Sequence, residues 1–139
     1  MRKNVLVLIP IVAALVLEIL PYGAVCNFGY QADDGTIAYM RSLYSYFDLL
    51  PFGYGNFAPF LTAVLTCVIL ALAVVSCFTG SRRILLPVKV LLCVGIVFSL
   101  CPLLFGIEYF SAVGALITAS LIAEFLWLYF ASKREKETT

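Results

Sequence analysis

Residues 57–78, FAPFLTAVLTCVILALAVVSCF, decide the fold of this chain. No charged residue interrupts the run, and Pro59 stands in its first turn, where a missing backbone donor costs little. A helix needs about 20 apolar residues to cross roughly 30 Å of hydrocarbon. The stretch therefore predicts a transmembrane helix.

Three further apolar runs have similar lengths and cover about residues 4–20, 84–105 and 109–130. Only 12% of the residues are charged and the mean hydropathy is +1.06, whereas soluble domains carry about a quarter charged residues. We therefore predict an all-α integral membrane protein, a four-transmembrane-helix bundle forming one membrane domain over residues 1–139. Glu18 interrupts the first run, which we expect to be retained rather than cleaved as a signal peptide.

Lysine and arginine lie on one side of the predicted bundle. They occupy the N-terminus, the connection between the second and third spans, and the tail at 131–139: Arg2, Lys3, Arg82, Arg83, Lys133, Arg134 and Lys136. Cytoplasmic loops carry such an excess. We predict a multi-pass protein of the plasma membrane with both termini cytoplasmic and residues 21–56 forming an outer cap.

The predicted cap is rich in tyrosine, a residue that favours the boundary between membrane and water. Ile37, Met40, Tyr44, Phe47 and Leu50 recur every three or four residues. This period predicts an interfacial helix lying flat on the outer leaflet. The alternative is a hairpin that turns at residues 34–35, with residues 44–47 as an alternating strand.

A similar motif brackets the cap, as ILPYGAVCNF at residues 19–28 and LLPFGYGNF at residues 49–57. Proline ends a helix, glycine adopts conformations closed to other residues, and asparagine can cap a helix. We interpret the two copies as paired entry and exit turns, with a ligand site between them as the alternative. The motif residues are Pro21, Gly23, Asn27, Pro51, Gly53, Gly55 and Asn56.

Three charged residues fall inside the predicted spans: Glu18, Lys89 and Glu124. A charge at the centre of a bilayer costs roughly 2.5–3.5 kcal/mol on insertion scales, so each position invites a functional reading. Lys89 and Glu124 are predicted at the same depth, where they form an ion pair between neighbouring helices. One alternative is that Lys89 reaches the cytoplasmic surface while Glu124 pairs with Arg82 or Arg83. The other is a polar path for ions or protons.

The fourth span carries small residues four apart, at Ser111, Ala115, Ala119 and Ala123. Small residues at this spacing let membrane helices approach closely. We expect this face to pack within the bundle, or alternatively against another subunit.

Cys26 and Cys101 both fall near the predicted outer boundary. Thiols on the outer side of a membrane can be oxidised. A disulfide between these two cysteines is one option, and reduced thiols are the other.

The chain has no histidine, no Cys-x-x-Cys pair and no clustered positive surface. We therefore predict no enzyme, no cofactor, no metal site and no nucleic-acid partner. The leading hypothesis is an accessory or scaffold subunit, or a homo-oligomer, whose partners are the lipid bilayer and another membrane protein or itself. The alternatives are a small transporter or channel using Glu18, Lys89 and Glu124, and a lipid or hydrophobic-ligand binder using the aromatic cap.

Overall fold

The computed structural model describes residues 5–48 and 56–137. The first apolar run forms helix α1 (Ile9–Ile19), preceded by a 3-10 turn over Val5–Leu8. The other runs form α2 (Ala58–Thr79), α3 (Leu85–Leu100) and α4 (Ala112–Glu137). Within the described residues, three helices are long and apolar enough to cross a membrane: α2, α3 with its extension to Phe105, and α4. With 11 residues, α1 is shorter than a straight span requires.

Prolines mark the places where α-helix gives way to 3-10 geometry. Pro10 lies in the first turn of α1, directly after the 3-10 turn, and Pro102 lies in the 3-10 segment Cys101–Phe105 that follows α3. Proline has no N–H to donate to the carbonyl one turn back. The α-helical ladder is therefore interrupted at both positions.

The start and end of α2 follow from its sequence. The side-chain oxygen of Asn56 accepts a hydrogen bond from the backbone N–H of Ala58 at 2.9 Å, and Pro59 occupies the first turn. At the other end, Gly80 adopts φ 64° and donates its N–H to the carbonyl of Ser76 at 2.9 Å. This left-handed residue ends the helix because glycine reaches that conformation without steric cost.

Neighbouring helices pack in the order α1–α2–α3–α4, and α4 also packs against α1. Side chains from all four contribute to one core, including the wholly buried Ile11, Ile69, Leu92, Ile117 and Leu121. Many large apolar side chains remain on the outside, such as Leu86 and Val97 of α3, which are 70% and 63% exposed. An outer surface this apolar suits lipid rather than water.

Residues 24–44 form an antiparallel hairpin of strands β1 (Ala24–Gln31) and β2 (Ile37–Tyr44). Gly35 adopts φ 80° in the turn, which only glycine does readily. The carboxylate of Asp34 accepts hydrogen bonds from the backbone N–H and the hydroxyl of Thr36, at 3.0 and 2.6 Å. These bonds hold the pKa of Asp34 below its usual value.

The predicted interfacial helix was wrong, and the alternative hairpin turning at residues 34–35 is confirmed. Strand β1 explains the difference, because its first residues are buried against the helices and its backbone pairs with β2 over its whole length. Ile37 and Met40, two residues of the apolar stripe, belong to β2 and are 70% and 57% exposed. Strand β2 ends at Tyr44, so residues 44–47 are not a strand as the alternative proposed. Instead, residues 45–48 form a turn in which the N–H of Ser45 donates to the Asp48 carboxylate at 2.8 Å.

Candidate functional site: the polar interior

Eight buried polar residues come from all four helices and the loop before α4. We call the set the polar interior; it comprises Glu18, Thr62, Thr66, Ser76, Ser99, Ser111, Thr118 and Glu124. Its members face inward while apolar side chains of the same helices face outward. Ionisable and hydroxyl groups placed in this way line polar routes or packing contacts in membrane proteins.

Glu18 lies in the last turn of α1 and none of its surface is exposed. The chain leaves the helix at Leu20, whose ψ of 138° is extended, and turns through residues 21–23. The cap then returns over this end of the helix, where the N–H of Tyr46 donates to the carbonyl of Glu18 at 2.9 Å. The cap is thus held against Glu18, which lies one helical turn before the loop at residues 21–23.

The Glu18 carboxyl contacts α2 at Thr66, which lies one helical turn after Thr62. Thr66 Oγ1 lies 2.8 Å from Glu18 Oε1 and 3.0 Å from the carbonyl of Thr62. Thr62 Oγ1 in turn donates to the carbonyl of Ala58 at 2.9 Å. The second carboxyl oxygen, Glu18 Oε2, is buried with no hydrogen-bond partner among the described residues.

The one hydroxyl proton of Thr66 can go to either of two acceptors, so the hydrogen bond between Glu18 and Thr66 can form in two ways. With an ionised Glu18, Thr66 donates to the carboxylate. With a protonated Glu18, the acid can donate to Thr66 Oγ1 and Thr66 can donate to the carbonyl of Thr62. The pair of acceptors therefore accommodates Glu18 with or without a proton.

Tyr46 closes the end of the bundle above Glu18. It is 1% exposed, and its ring lies so close to Gly23 that a Cβ there would be 2.7 Å from Tyr46 Cδ1. Its hydroxyl would be 3.2 Å from a Cβ built at Gly114 of α4. Burial, and secondarily a negative charge on Glu18, raises the pKa of Tyr46 above its usual range. Two glycines thus make room for one aromatic ring.

Ser111 ties the cap to α4, and hydroxyl groups continue inward from it. Its Oγ donates to the carbonyl of Gly23 at 2.6 Å and accepts from the N–H of Gly114 at 2.8 Å. One turn further, Thr118 Oγ1 donates to the carbonyl of Gly114, and it lies 2.9 Å from Ser99 Oγ of α3. The polar groups of three elements are therefore joined at this level.

Glu124 of α4 is wholly buried, and neither of its carboxyl oxygens has a hydrogen-bond partner in the part of the chain that the structure describes. Lys89, its predicted partner, instead donates from Nζ to Ser132 Oγ at 2.6 Å. The predicted Lys89–Glu124 ion pair is therefore not formed. Ser132 lies two turns beyond Glu124 on α4, so the ammonium extends along α4 away from the carboxyl, in keeping with the alternative in which Lys89 reaches outward.

The predicted helix-packing face of α4 is divided. Ser111 is buried against the cap, whereas Ala115, Ala119 and Ala123 are exposed on the outside of the bundle. The three alanines therefore do not pack within the described part of this chain.

The remaining motif residues fall in different settings. Pro21 and Gly23 lie in the turn after α1, and Asn56 accepts a hydrogen bond from the N–H of Ala58 just before α2, whereas Asn27 belongs to β1. Pro51, Gly53 and Gly55 lie outside the described residues, so the second turn stays a prediction.

Cys26 is buried in β1 and Cys101 begins the 3-10 segment after α3. Both are present as thiols in this structure, which is the second of the two options. Burial raises the pKa of the Cys26 thiol, which keeps it in its less reactive form.

The sequence argument missed Thr66, Tyr46 and Ser99 as site residues. Thr62 and Thr66 stand four apart within an otherwise apolar run, and this spacing marks one helical face that seeks a polar neighbour. Tyr46 gave no such signal, because the cap holds six of the eight tyrosines and only the fold distinguishes one of them. Among the described residues, no group of three or more potential metal ligands comes together.

In comparisons with known proteins, no family model, curated protein or solved structure matches the chain.

Proposed function

We propose that the protein is a small transporter or channel that moves protons across the membrane, with Glu18 and Glu124 as proton-binding groups. One observation carries this proposal: two glutamates are wholly buried among the helices, and three of their four oxygens have no partner in the described chain. An ionised carboxylate in such a place costs several kcal/mol. A bound proton removes that cost.

Glu18 and Thr66 support the choice of a proton as the bound species. Their hydrogen bonds, 2.8 Å between the side chains and 3.0 Å to the carbonyl of Thr62, allow Thr66 to bond Glu18 in either protonation state. A group that accepts and releases protons needs a hydrogen-bond partner that serves both states. The hydroxyl of Ser76, which has no hydrogen-bond partner among the described residues, lies further along α2 and offers a further polar step.

The proposal includes the four-span topology, with both termini cytoplasmic in the plasma membrane. The cap and the turn at residues 107–109 lie at one end of the bundle, and Arg83 lies at the other. In a cysteine-free background, Asp33→Cys should react with an impermeant maleimide on intact cells, and Lys133→Cys only after permeabilisation. Labelling of both or neither on intact cells would contradict this orientation.

Proton flux into proteoliposomes tests the function. An interior pH dye should report acidification after an acid pulse with the wild-type protein, and Glu18→Gln and Glu124→Gln should each lower the rate at least about tenfold. Glutamine keeps the size of the side chain but cannot release a proton. Asp33→Asn, a matched acid-to-amide change at an exposed position, should leave the rate unchanged. Wild-type rates in both glutamine variants would reject the proposal.

A second function is favoured by the exposed alanines of α4. We propose that Ala115, Ala119 and Ala123 pack against a second copy or another membrane protein, since small residues at this spacing admit a neighbouring helix. Ala119→Phe should then abolish a crosslinked species that forms in native membranes, while Val97→Phe, at an exposed position of α3, should preserve it. Equal crosslinking in the two variants would refute this contact.

A further inference from the structure

One face of the hairpin forms a cavity with the turn that follows α3. Asn27 pairs with Arg41 across the two strands, and Glu108 and Tyr109 come from the 3-10 turn Ile107–Tyr109. An isolated bridge between Ala24 and Phe110 fixes this turn against β1. The cavity has a volume of about 320 Å³ and is lined by Asn27, Tyr39, Arg41, Glu108 and Tyr109.

The cavity continues over the tip of the hairpin. A second space of about 680 Å³ shares Asn27, Tyr39 and Tyr109 with the first. Small-molecule sites commonly occupy some 300–1,000 Å³ and combine aromatic walls with a few polar groups. The volume and the lining both fit a small ligand.

The walls carry one cation and one anion. Arg41 and Glu108 both line the cavity, and neither side chain has an ion pair or a hydrogen bond with another described residue. The guanidinium is a forked donor suited to phosphate or carboxylate oxygens, and the carboxylate accepts from an ammonium group. The two side chains are therefore complementary to a ligand that carries both charges.

The aromatic and amide groups add to this complementarity. Tyr39 lies across from Gly29, where a Cβ would be 3.5 Å from its ring, and Tyr109 faces the same cavity from the other side. Tyrosine rings attract an ammonium group placed over their faces. The Asn27 side chain offers a further donor for an anionic oxygen.

An apolar surface adjoins the cavity. Leu104, Phe105 and Ile107, which directly precede Glu108, are 84%, 66% and 81% exposed. Leu104 and Phe105 end the apolar segment Leu85–Phe105, which is long enough to cross a membrane, and Ile107 follows it. A ligand with a charged head and hydrocarbon chains would place the head in the cavity and the chains along this surface.

We propose that the cavity binds the headgroup of phosphatidylethanolamine, a use separate from the proton movement proposed above. Arg41 and Asn27 hold the phosphate, and Glu108 accepts hydrogen bonds from the primary ammonium group between Tyr39 and Tyr109. Phosphatidylcholine binds more weakly because its trimethylammonium group cannot donate to Glu108. Phosphatidylglycerol binds more weakly because it has no cation.

Native mass spectrometry of the detergent-solubilised full chain, titrated with each of the three lipids, tests the proposal. Phosphatidylethanolamine should bind most tightly, and Arg41→Gln, Glu108→Gln and Tyr39→Ala should each weaken it about tenfold, the loss expected for one charged or aromatic contact. Arg83→Gln and Asp33→Asn remove exposed charges elsewhere and should leave binding unchanged. The three cavity positions are exposed or half-buried, and each variant should keep the wild-type circular dichroism spectrum.

Three outcomes would overturn the proposal. Equal affinity for all three lipids would mean non-selective association with the apolar surface. A preference for phosphatidylglycerol lost only in Arg41→Gln would mean an anion site. Displacement of the lipid by soluble phosphoethanolamine at equal concentration would show that the acyl chains contribute nothing and that the ligand is a soluble zwitterion. Because the readout is lipid binding, a failed flux assay would leave this result unaffected.

Discussion

The hydroxyl of Thr66 lies 2.8 Å from the carboxyl of Glu18, although 48 residues separate them in the chain. This contact joins α1 to α2 in the middle of an apolar sequence. Thr66→Val keeps the shape of the side chain and removes the hydroxyl. We expect the C=O stretch of protonated Glu18 in the infrared spectrum to shift upward, because a carboxyl without a hydrogen bond vibrates at higher frequency.

Two variants make this prediction specific. Thr66→Ser keeps the hydroxyl and should retain the wild-type band, while Glu18→Gln should remove the band and so identify it. An identical band in the wild type and in Thr66→Val would contradict the contact.

Gly23 is required because Tyr46 fills the space beside it. A Cβ at this position would lie 2.7 Å from the tyrosine ring, which is wholly enclosed and cannot swing away. Gly23→Ala should lower stability by about 1–3 kcal/mol, the usual cost of overpacking. Unfolding in a denaturing detergent, followed by tyrosine fluorescence or circular dichroism, measures the loss.

Gly29→Ala serves as the matched control. Its Cβ would meet Tyr39 at 3.5 Å, an ordinary contact, and alanine reduces the conformational freedom of the unfolded strand. Stability should therefore stay level or rise slightly. Equal losses in the two variants would show that the tyrosine does not occupy the space beside Gly23.

The turn of the hairpin should respond to acid through Asp34. Its two hydrogen bonds from Thr36 hold the pKa of the carboxyl below that of the unfolded chain. The contribution is therefore fully present above the unfolded value, near pH 4, and is lost as the pH falls through the lower folded value. The amide resonance of Thr36 should move across this window in an NMR titration.

Asp34→Ala should abolish that transition, while Asp33→Ala should preserve it because Asp33 makes no hydrogen bond that the described structure includes. A Thr36 resonance that titrates equally in both variants would assign the transition to another group.

The sequence predicted the apolar helices because each run is long, carries at most one charged residue and is bounded by proline, glycine or charge. It failed on the cap, where Ile37, Met40 and Tyr44 fit a helical period yet belong to a strand. Whether this segment forms a helix or a strand depends on pairing with β1, a non-local contact that the local period of apolar residues does not reveal. The buried glutamates were predicted as notable positions, but their partners depended on helix rotation. In the structure, Lys89 contacts Ser132, which lies two turns along α4 from Glu124.

Glu124 should show a conflict between stability and function. Its two oxygens are buried without a partner in the described chain, so Glu124→Leu replaces an uncompensated polar group with an apolar one of similar size. Such replacements are commonly neutral or stabilising by about 1–4 kcal/mol. We expect a higher thermal midpoint in detergent together with loss of proton flux, since leucine binds no proton.

Thr118→Val is the control for polarity alone. Thr118 is hydrogen-bonded to Gly114 and lies against Ser99, so loss of its hydroxyl should lower the midpoint. A lower midpoint in Glu124→Leu would mean that the carboxyl has a stabilising partner, and would remove the reason for assigning it a proton.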